Sequence, residues 1–492
     1  MYYPTLKQAK EIVSQGDYDI IPISKEIYGD QVTPIAIMQI LKNYSNHCYL
    51  LESVDDTKRW SRYTFLGFEP TSEITCLNKI MKIDQTVFKT SHPGKYIKKI
   101  LQNYKSPKIP GLPTFTGGLV GYFAYDYFKY NEPVLNLKSD DDSFNDVDLM
   151  LFDQVICFDN YRQKIILIAN ARINDLENSY QETVKKIERL QQLIFNGQKA
   201  VIKPLQLTSD FKALFSKDKY CSMVERAKEY IKEGDIFQVV LANRLQAKAK
   251  GSLFDTYRVL RTLNPSPYMF YFASDSQEIV GASPETLIKL ENDQLYTYPL
   301  AGTRKRGRDE KEDQYLEKEL LHDEKELAEH NMLVDLGRND LGKISKFNSI
   351  KVEKYLEVLK FSHVMHLGST VSGTILDDKD AIDAINALLP AGTLSGAPKI
   401  RASSIINELE NTRRGIYGGA IGYLDFTGNM DMCIAIRIAY RKGENVYACS
   451  GAGIVYDSIP ENEYHECLNK AKAIVKAIKE ADGGIEDDFI NR

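Results

Sequence analysis

The chain has 492 residues, with 63 Lys and Arg against 68 Asp and Glu, a formal net charge of −5. That length allows roughly two to four domains or one large two-lobed unit, and a hydrophobic content of 43% excludes a largely disordered chain. The charge balance supplies no basic field for nucleic acid, and no apolar stretch approaches the roughly 18 residues of a membrane span.

The N-terminus, MYYPTLKQAKEIV, lacks the charged-then-apolar order of a secretory signal. Leu6, Ala9, Ile12 and Val13 predict a short amphipathic helix. Thr33-Pro34 reads as an N-cap followed by proline at the first helical position, opening a helix to Leu41. Strands are expected at 47–54, 62–68, 72–77, 117–125, 147–158 and 162–169, with Asp159-Asn160 as a hairpin turn. A charged helix over 175–196 stops at Gly197. The stretch 198–212 has no period and contains Pro204. It reads as a linker between an N-terminal domain, 1–197, and a second domain, 213–482.

The second part opens with a helix near 217–233, closed by Gly234. Strands near 236–248, 268–274, 278–283, 286–291 and 294–300 follow, with a helix near 252–263 among them. One long charged helix is expected over 311–337, and a last helix over 461–481 that leaves a frayed tail, 483–492. Strands outnumber helices and hairpins recur, which predicts an α+β fold with large antiparallel sheets. No GxGxxG follows a strand and no Walker loop occurs, so nucleotide binding has no support. Seven scattered cysteines without a CxxC pair fit reduced thiols and a cytoplasmic protein.

Two acidic pairs stand out. Glu326 and Glu329 lie three apart in one helix, and Glu463 and Glu466 lie three apart in the last one. Three-residue spacing puts each pair on one helical face. Opposed, the two faces would offer hard oxygen ligands to Mg²⁺; spacing alone equally fits solvated acidic surfaces. Three glycine-rich loops, GTLSGAPK (392–399), YGGAIGY (417–423) and CSGAG (449–453), can present backbone N–H groups to a carboxylate; each singly also fits an ordinary tight turn. Glu285 in GASPET, His366 in an apolar run, Arg437 alternating with apolar residues in CIAIRIAY, and Lys470 one turn after Glu466 are scattered acid, base and cation groups. Their spacing assigns no role. There is no GxSxG, no HExxH, and no cysteine set for glutamine hydrolysis.

Taken in order, these segments resemble the chorismate-utilising enzymes, most closely the large subunits of anthranilate synthases. The resemblance is dense from IKEGDIFQVVLANR to GAGIVYDSIPENEYHECLNKA and looser in YLLES (49–53) and RYTFLGFEP (62–70). It implies two large antiparallel sheets forming a sandwich around a cleft, with helices outside. It implies a Mg²⁺-dependent reaction of chorismate and ammonia giving anthranilate, pyruvate and water. Carried over by position, Glu329 and Glu466 become direct Mg²⁺ ligands, and Glu326 and Glu463 reach the ion through water. Thr393, Gly451, Gly453 and Lys470 match positions that hold the ring carboxylate, and Tyr417 and Arg437 those that hold the enolpyruvyl carboxylate. Glu285 matches the general acid and His366 a histidine of the pyruvate-elimination step.

Gln238 stands where water-using branches carry a lysine base, and Ala301 where the aminodeoxychorismate branch often carries a lysine nucleophile. The resemblance also implies tryptophan inhibition through Leu51, Glu52 and Ser53 against Pro267, Tyr268, Met269 and Phe270. With no amidotransferase domain in this sequence, ammonia would come free or from a separate glutaminase subunit, the second component of the synthase. The rivals are the large subunit of aminodeoxychorismate synthase and a non-catalytic, tryptophan-sensing subunit.

Overall fold

The computed structural model describes residues 1–53, 62–132, 144–360 and 364–485. The frayed tail expected at 483–492 therefore falls mostly outside the described residues.

Two antiparallel sheets carry the fold, one of fourteen strands and one of twelve among the described residues. Both are built from the two halves of the sequence. In the larger sheet, Cys48–Glu52 pairs with Tyr268–Ala273. In the smaller, Gly118–Phe123 pairs with Ala420–Asp425, with Gly121 directly opposite Gly422. These two seams join the halves edge to edge.

On either side of each seam the strand order mirrors itself. From the seam outward, the larger sheet runs Cys48–Glu52, Tyr63–Phe68, Gln154–Asp159, Lys164–Arg172, Ile20–Tyr28 in one direction. In the other it runs Tyr268–Ala273, Gln277–Ser283, Ile438–Lys442, Asn445–Ile454, Gln238–Lys250. The smaller sheet repeats the plan about its own seam. A helix follows the corresponding strand of each half, Leu176–Asn196 in the first and Pro460–Glu480 in the second.

The chain crosses between the sheets at matching corners. In the first half these are 69–71 and Asp153; in the second they are 284–285 and 435–437. One expected strand and one alternating apolar run are divided by such corners. The run 147–158 splits at Asp153 because its two parts, Val147–Phe152 and Gln154–Asp159, belong to different sheets. The run around Arg437 splits likewise, into Met430–Ile434 and Ile438–Lys442.

The expected long helix is also two, Glu310–His322 and Glu324–Gly342. Asp323 stands extended between them, and its side chain accepts from the Lys325 and Glu326 amides, which caps a new helix where charge alone suggested continuity. The stretch 198–212 contributes two short strands, Gln206–Leu207 and Lys212–Ala213, that lie on Gln238–Lys250.

The main apolar core lies between the sheets, with Phe123, Tyr127, Phe152, Ile288, Met432 and Ile434 among its buried members. A second core fills the space between the larger sheet and its outer helices, including Ile187, Leu190, Tyr257 and Ile474. All seven cysteines are free thiols. Among the described residues no helix is long and apolar enough to cross a membrane.

Candidate functional site

The site lies where the second half of the chain changes sheets. Gln277–Ser283 ends and Thr286–Glu291 begins across Pro284-Glu285, and Met430–Ile434 ends and Ile438–Lys442 begins across Arg437. The two corners are tied by backbone bonds: the Ile434 amide donates to Glu285 O at 2.9 Å, and the Ala282 amide to Arg437 O at 3.1 Å. Arg437 is not a strand residue. It adopts φ 51°, the left-handed region, because the chain turns between sheets there.

Glu285 receives a hydrogen bond from Thr393 Oγ1 at 3.0 Å. Burial pushes its carboxyl up to about 7, against the pull of that bond and of the Arg437 and Lys470 charges. A carboxyl so placed is protonated in an appreciable fraction of molecules at neutral pH.

His366 lies on Val364–Thr374, opposite Thr303. Its Nδ1 is 3.0 Å from both Gly302 O and Thr303 Oγ1. A carbonyl can only accept, so Nδ1 carries the hydrogen and Nε2 the lone pair. Burial, helped by the Arg437 charge and opposed by the bond to Gly302 O, holds the ring below its ordinary pKa, which favours its neutral form. Ala301 and Gly302 form the bulge in this strand pair, and a side-chain carbon on Gly302 would stand 3.2 Å from Glu326 Oε2.

The two acidic helix faces meet. Loss of surrounding water, then the Glu326 charge and further the Glu466 charge, raises the Glu329 carboxyl; Lys325 and Lys470 oppose them. Glu463 is raised first by burial, with Glu466 adding to it. Lys470 Nζ pairs with Glu466 at 2.7 Å, and Arg304 with Glu326 at 3.3 Å. The donors are all carboxylate oxygens, which is the chemistry of a hard divalent cation, and a cation among them would relieve their mutual repulsion. Among the described residues no three acidic, His or Cys side chains converge into a closed cage.

The glycine-rich loops converge on the same place. Gly451 faces Ala242, and Gly453 faces Val240, across the ladder between Asn445–Ile454 and Gln238–Lys250. A side-chain carbon on Gly451 would stand 3.2 Å from Tyr417 Oη, and one on Gly453 would stand 2.7 Å from the Gln238 amide nitrogen. Tyr417 is buried at 4% exposure, in a loop whose next amide, at Gly418, donates to Ala435 O at 2.9 Å, on the Arg437 corner.

The chorismate-binding enzyme family model matches residues 46–476, which take in the smaller sheet, all of the larger one but its two N-terminal strands, and every residue of this site. The chain belongs to the chorismate-binding enzymes. It is 44% identical to anthranilate synthase component 1 of Acetivibrio thermocellus, over 98% of this chain and 99% of that protein. It is 42% identical to anthranilate synthase component 1 of Aquifex aeolicus, over 96% and 97%. Among solved structures it is similar to anthranilate synthase component I from Streptococcus pneumoniae, with a TM-score of 0.75 at 38% identity, over 91% of this chain and 98% of that one. The menaquinone-specific isochorismate synthase from Escherichia coli shares the fold, with a TM-score of 0.71 at 20% identity, over 96% and 98%.

In this chorismate-binding chain, the segments expected to form a tryptophan site lie at the seam of the larger sheet. Leu51 pairs with Phe270 and Glu52 with Met269. Glu52 is buried and held by Arg261 at 2.7 Å and by the Tyr257 hydroxyl. Ser53 Oγ is buried and finds no hydrogen-bond partner among the described residues. The Tyr268 hydroxyl lies 2.8 Å from both Asp431 and Thr286, the residue after Glu285; Pro267 precedes it. Gly302, Thr303, Glu410 and Arg414 were not singled out by sequence. None sits in a periodic or charged pattern that marks it; only the folded contacts do.

Proposed function

We propose that this chorismate-binding enzyme converts chorismate and ammonia to anthranilate, pyruvate and water, the first step of tryptophan biosynthesis. The observation that carries the reading is Glu285: one carboxyl with a raised pKa, set among Arg437, Lys470 and Thr393 where two sheet corners meet. Chorismate is a dicarboxylate, so cations and backbone N–H groups fit its charges and leave one proton donor for the bond that breaks.

Tyr417 and Arg437 hold the enolpyruvyl carboxylate. Thr393, Lys470 and the backbone at Gly451 and Gly453 hold the ring carboxylate. Glu285 donates its proton to the departing 4-hydroxyl, which leaves as water while ammonia bonds to carbon 2. The new ammonium returns a proton to the Glu285 carboxylate. Neutral His366, with its lone pair on Nε2, then takes the carbon 2 proton as the bond from carbon 3 to the enolpyruvyl oxygen breaks and the ring becomes aromatic. The enolpyruvate released takes up a proton at its methylene carbon to become pyruvate. Glu329 and Glu466 would bind Mg²⁺ directly, with Glu326 and Glu463 acting through its waters. Bound there, the ion supplies positive charge for the ring carboxylate. Gln238 beside Gly453 cannot act as a base toward water, and Ala301 cannot form a covalent adduct, so ammonia itself is the nucleophile.

Ammonia is delivered by a glutamine amidotransferase partner, in keeping with the component 1 names of the relatives, and the enzyme works in the cytoplasm. Tryptophan inhibits it by binding at Leu51, Glu52 and Ser53 against Pro267, Tyr268, Met269 and Phe270; the buried Ser53 hydroxyl and the Glu52 carboxylate support that placement.

Anthranilate fluorescence tests the reading, with purified protein, chorismate, Mg²⁺ and ammonium at mildly alkaline pH, with and without tryptophan. A rising signal that tryptophan suppresses is expected. An amino-chorismate product would move the chain to the aminodeoxychorismate branch, and untouched chorismate in the presence of a glutaminase subunit and glutamine would overturn the reading.

A further inference from the structure

The strand Gln238–Lys250 has a gap along its outer edge. At one end Gln238 and Val239 pair with Ala397 and Gly396, and at the other Leu245 and Gln246 pair with Ala213 and Lys212. Between them no strand lies beside Val240 and Ala242; the Val240 amide donates to Ser395 O at 2.9 Å, which leaves the Val240 carbonyl and the Ala242 amide pointing out of the sheet.

Two side chains from the end of helix Lys399–Glu410 and the loop after it fill that gap. Glu410 accepts the Ala242 amide at 2.8 Å. Arg414 Nη2 donates to Val240 O at 2.7 Å. The two are themselves paired in a fork, with Arg414 Nε 2.9 Å from Glu410 Oε2, and both side chains are almost fully buried, at 3% and 2% exposure. Arg414 Nη1 donates to Leu394 O, and its guanidinium lies 4.6 Å over the Tyr125 ring.

Each anchor of that fork adjoins a group that the proposed reaction needs. Leu394 follows Thr393, which bonds Glu285. Val240 and Ala242 stand opposite Gly453 and Gly451. Tyr417 follows Arg414 by three residues and lies beside Gly451. One guanidinium, borne by the loop that also carries the tyrosine, therefore touches the turn that holds the acid and the strand that backs the two glycines.

We propose that Arg414, held by Glu410, is the positioning residue that sets Thr393, the Gly451–Gly453 strand and Tyr417 in register with one another for chorismate. It touches no substrate itself, and the proposal rests on the reading of the site given above. A fork with five donors in fixed directions can serve three anchors at once, which an ammonium cannot.

Steady-state kinetics with chorismate and ammonium at saturating Mg²⁺ test it on Arg414→Met, Arg414→Lys, Thr393→Val, Tyr417→Phe and the doubles of Arg414→Met with each of the last two. Circular dichroism checks that each is folded. A loss of about 10²-fold in kcat/KM is expected for Arg414→Met, as for a misplaced binding group. Arg414→Lys should fail to restore it. Each double should be little worse than Arg414→Met alone, because groups that act as a unit are not additive.

Doubles whose losses multiply the single losses, or a folded Arg414→Met within about twofold of the parent, would overturn the proposal. Thr393→Val and Tyr417→Phe without effect would instead overturn the site reading. If Arg414→Met does not fold, Glu410→Gln, which removes the charge holding the fork, carries the same cycles with the same two outcomes.

Discussion

Glu285 is held between opposing influences, and its pH behaviour follows from which one wins. Burial raises it to about 7, and the nearby cations only moderate that rise. As a proton donor it works in its neutral form, which is lost as pH rises through the pKa. With free ammonia held constant, kcat/KM for chorismate should fall about tenfold per pH unit above about 7. Glu285→Gln should remove that limb and lower kcat by about 10²–10⁴-fold.

The carboxylates of the two helices make a separate demand. Glu329→Ala and Glu466→Ala should each raise the Mg²⁺ concentration needed for half-maximal rate, and calorimetry should show the same weakening of Mg²⁺ binding. Unchanged titrations in both would remove the metal assignment. Ser53→Leu fills the space of a buried hydroxyl with an apolar group, and tryptophan inhibition curves should move to at least about tenfold higher concentration.

Among elements, the paired strands Gln238–Lys250 and Asn445–Ile454 show how little room the site leaves. A side-chain carbon on Gly451 would lie 2.9 Å from the Leu241 carbonyl, a backbone atom that cannot swing away. Gly451→Ala should therefore destabilise the protein by about 1–3 kcal/mol in urea unfolding and raise KM for chorismate. On Gly453 the obstacle is the far end of Gln238, a flexible side chain, so Gly453→Ala should leave unfolding nearly unchanged while still altering chorismate binding.

Much at this scale was legible in the sequence. The Glu326–Glu329 and Glu463–Glu466 spacings put each pair on one helical face, and the capping at Thr33-Pro34 was visible directly. What periodicity could not show was that the two acidic faces meet, since that depends on pairing between strands far apart in sequence. Arg437 was misplaced for a related reason. The alternation in CIAIRIAY reads as one strand, and nothing local marks the point where the chain leaves one sheet for the other. The single helix expected over 311–337 failed at Asp323, where a capping side chain outweighed a continuous charge pattern. The resemblance to a family supplied roles that spacing left open, while the contacts of Arg414 were legible only in the folded chain.

At the scale of the molecule, both sheets continue across the two halves, and the two largest buried clusters draw residues from both. Heat or urea should unfold the protein in one transition, with secondary structure and activity lost together. The seam of the smaller sheet is a sensitive place to test this. Gly121 faces Gly422, and a side-chain carbon on either would lie 2.1 or 2.0 Å from the carbonyl of Asp148 or Asp431. Gly422→Ala should lower the unfolding midpoint by more than Gly451→Ala does, and still in a single step; two separated transitions would contradict a shared core.

A strand plan laid down twice provides two sets of corners, and the two sets have diverged. In the first half, the corner carboxylates Glu69 and Asp153 are each met by a cation from helix Leu176–Asn196: Arg189 at 2.8 Å and Lys186 at 2.8 Å. In the second half, the corners carry Glu285 and Arg437, and the corresponding helix, Pro460–Glu480, brings Glu463, Glu466 and Lys470. The same scaffold thus closes one pair of corners with salt bridges to its helix, while at the other pair Glu285 accepts from Thr393 and feels the charges of Arg437 and Lys470. Seen as a plan used twice, one copy spends its helix cations on its own corners, while the other gathers charges of both signs around a single carboxyl.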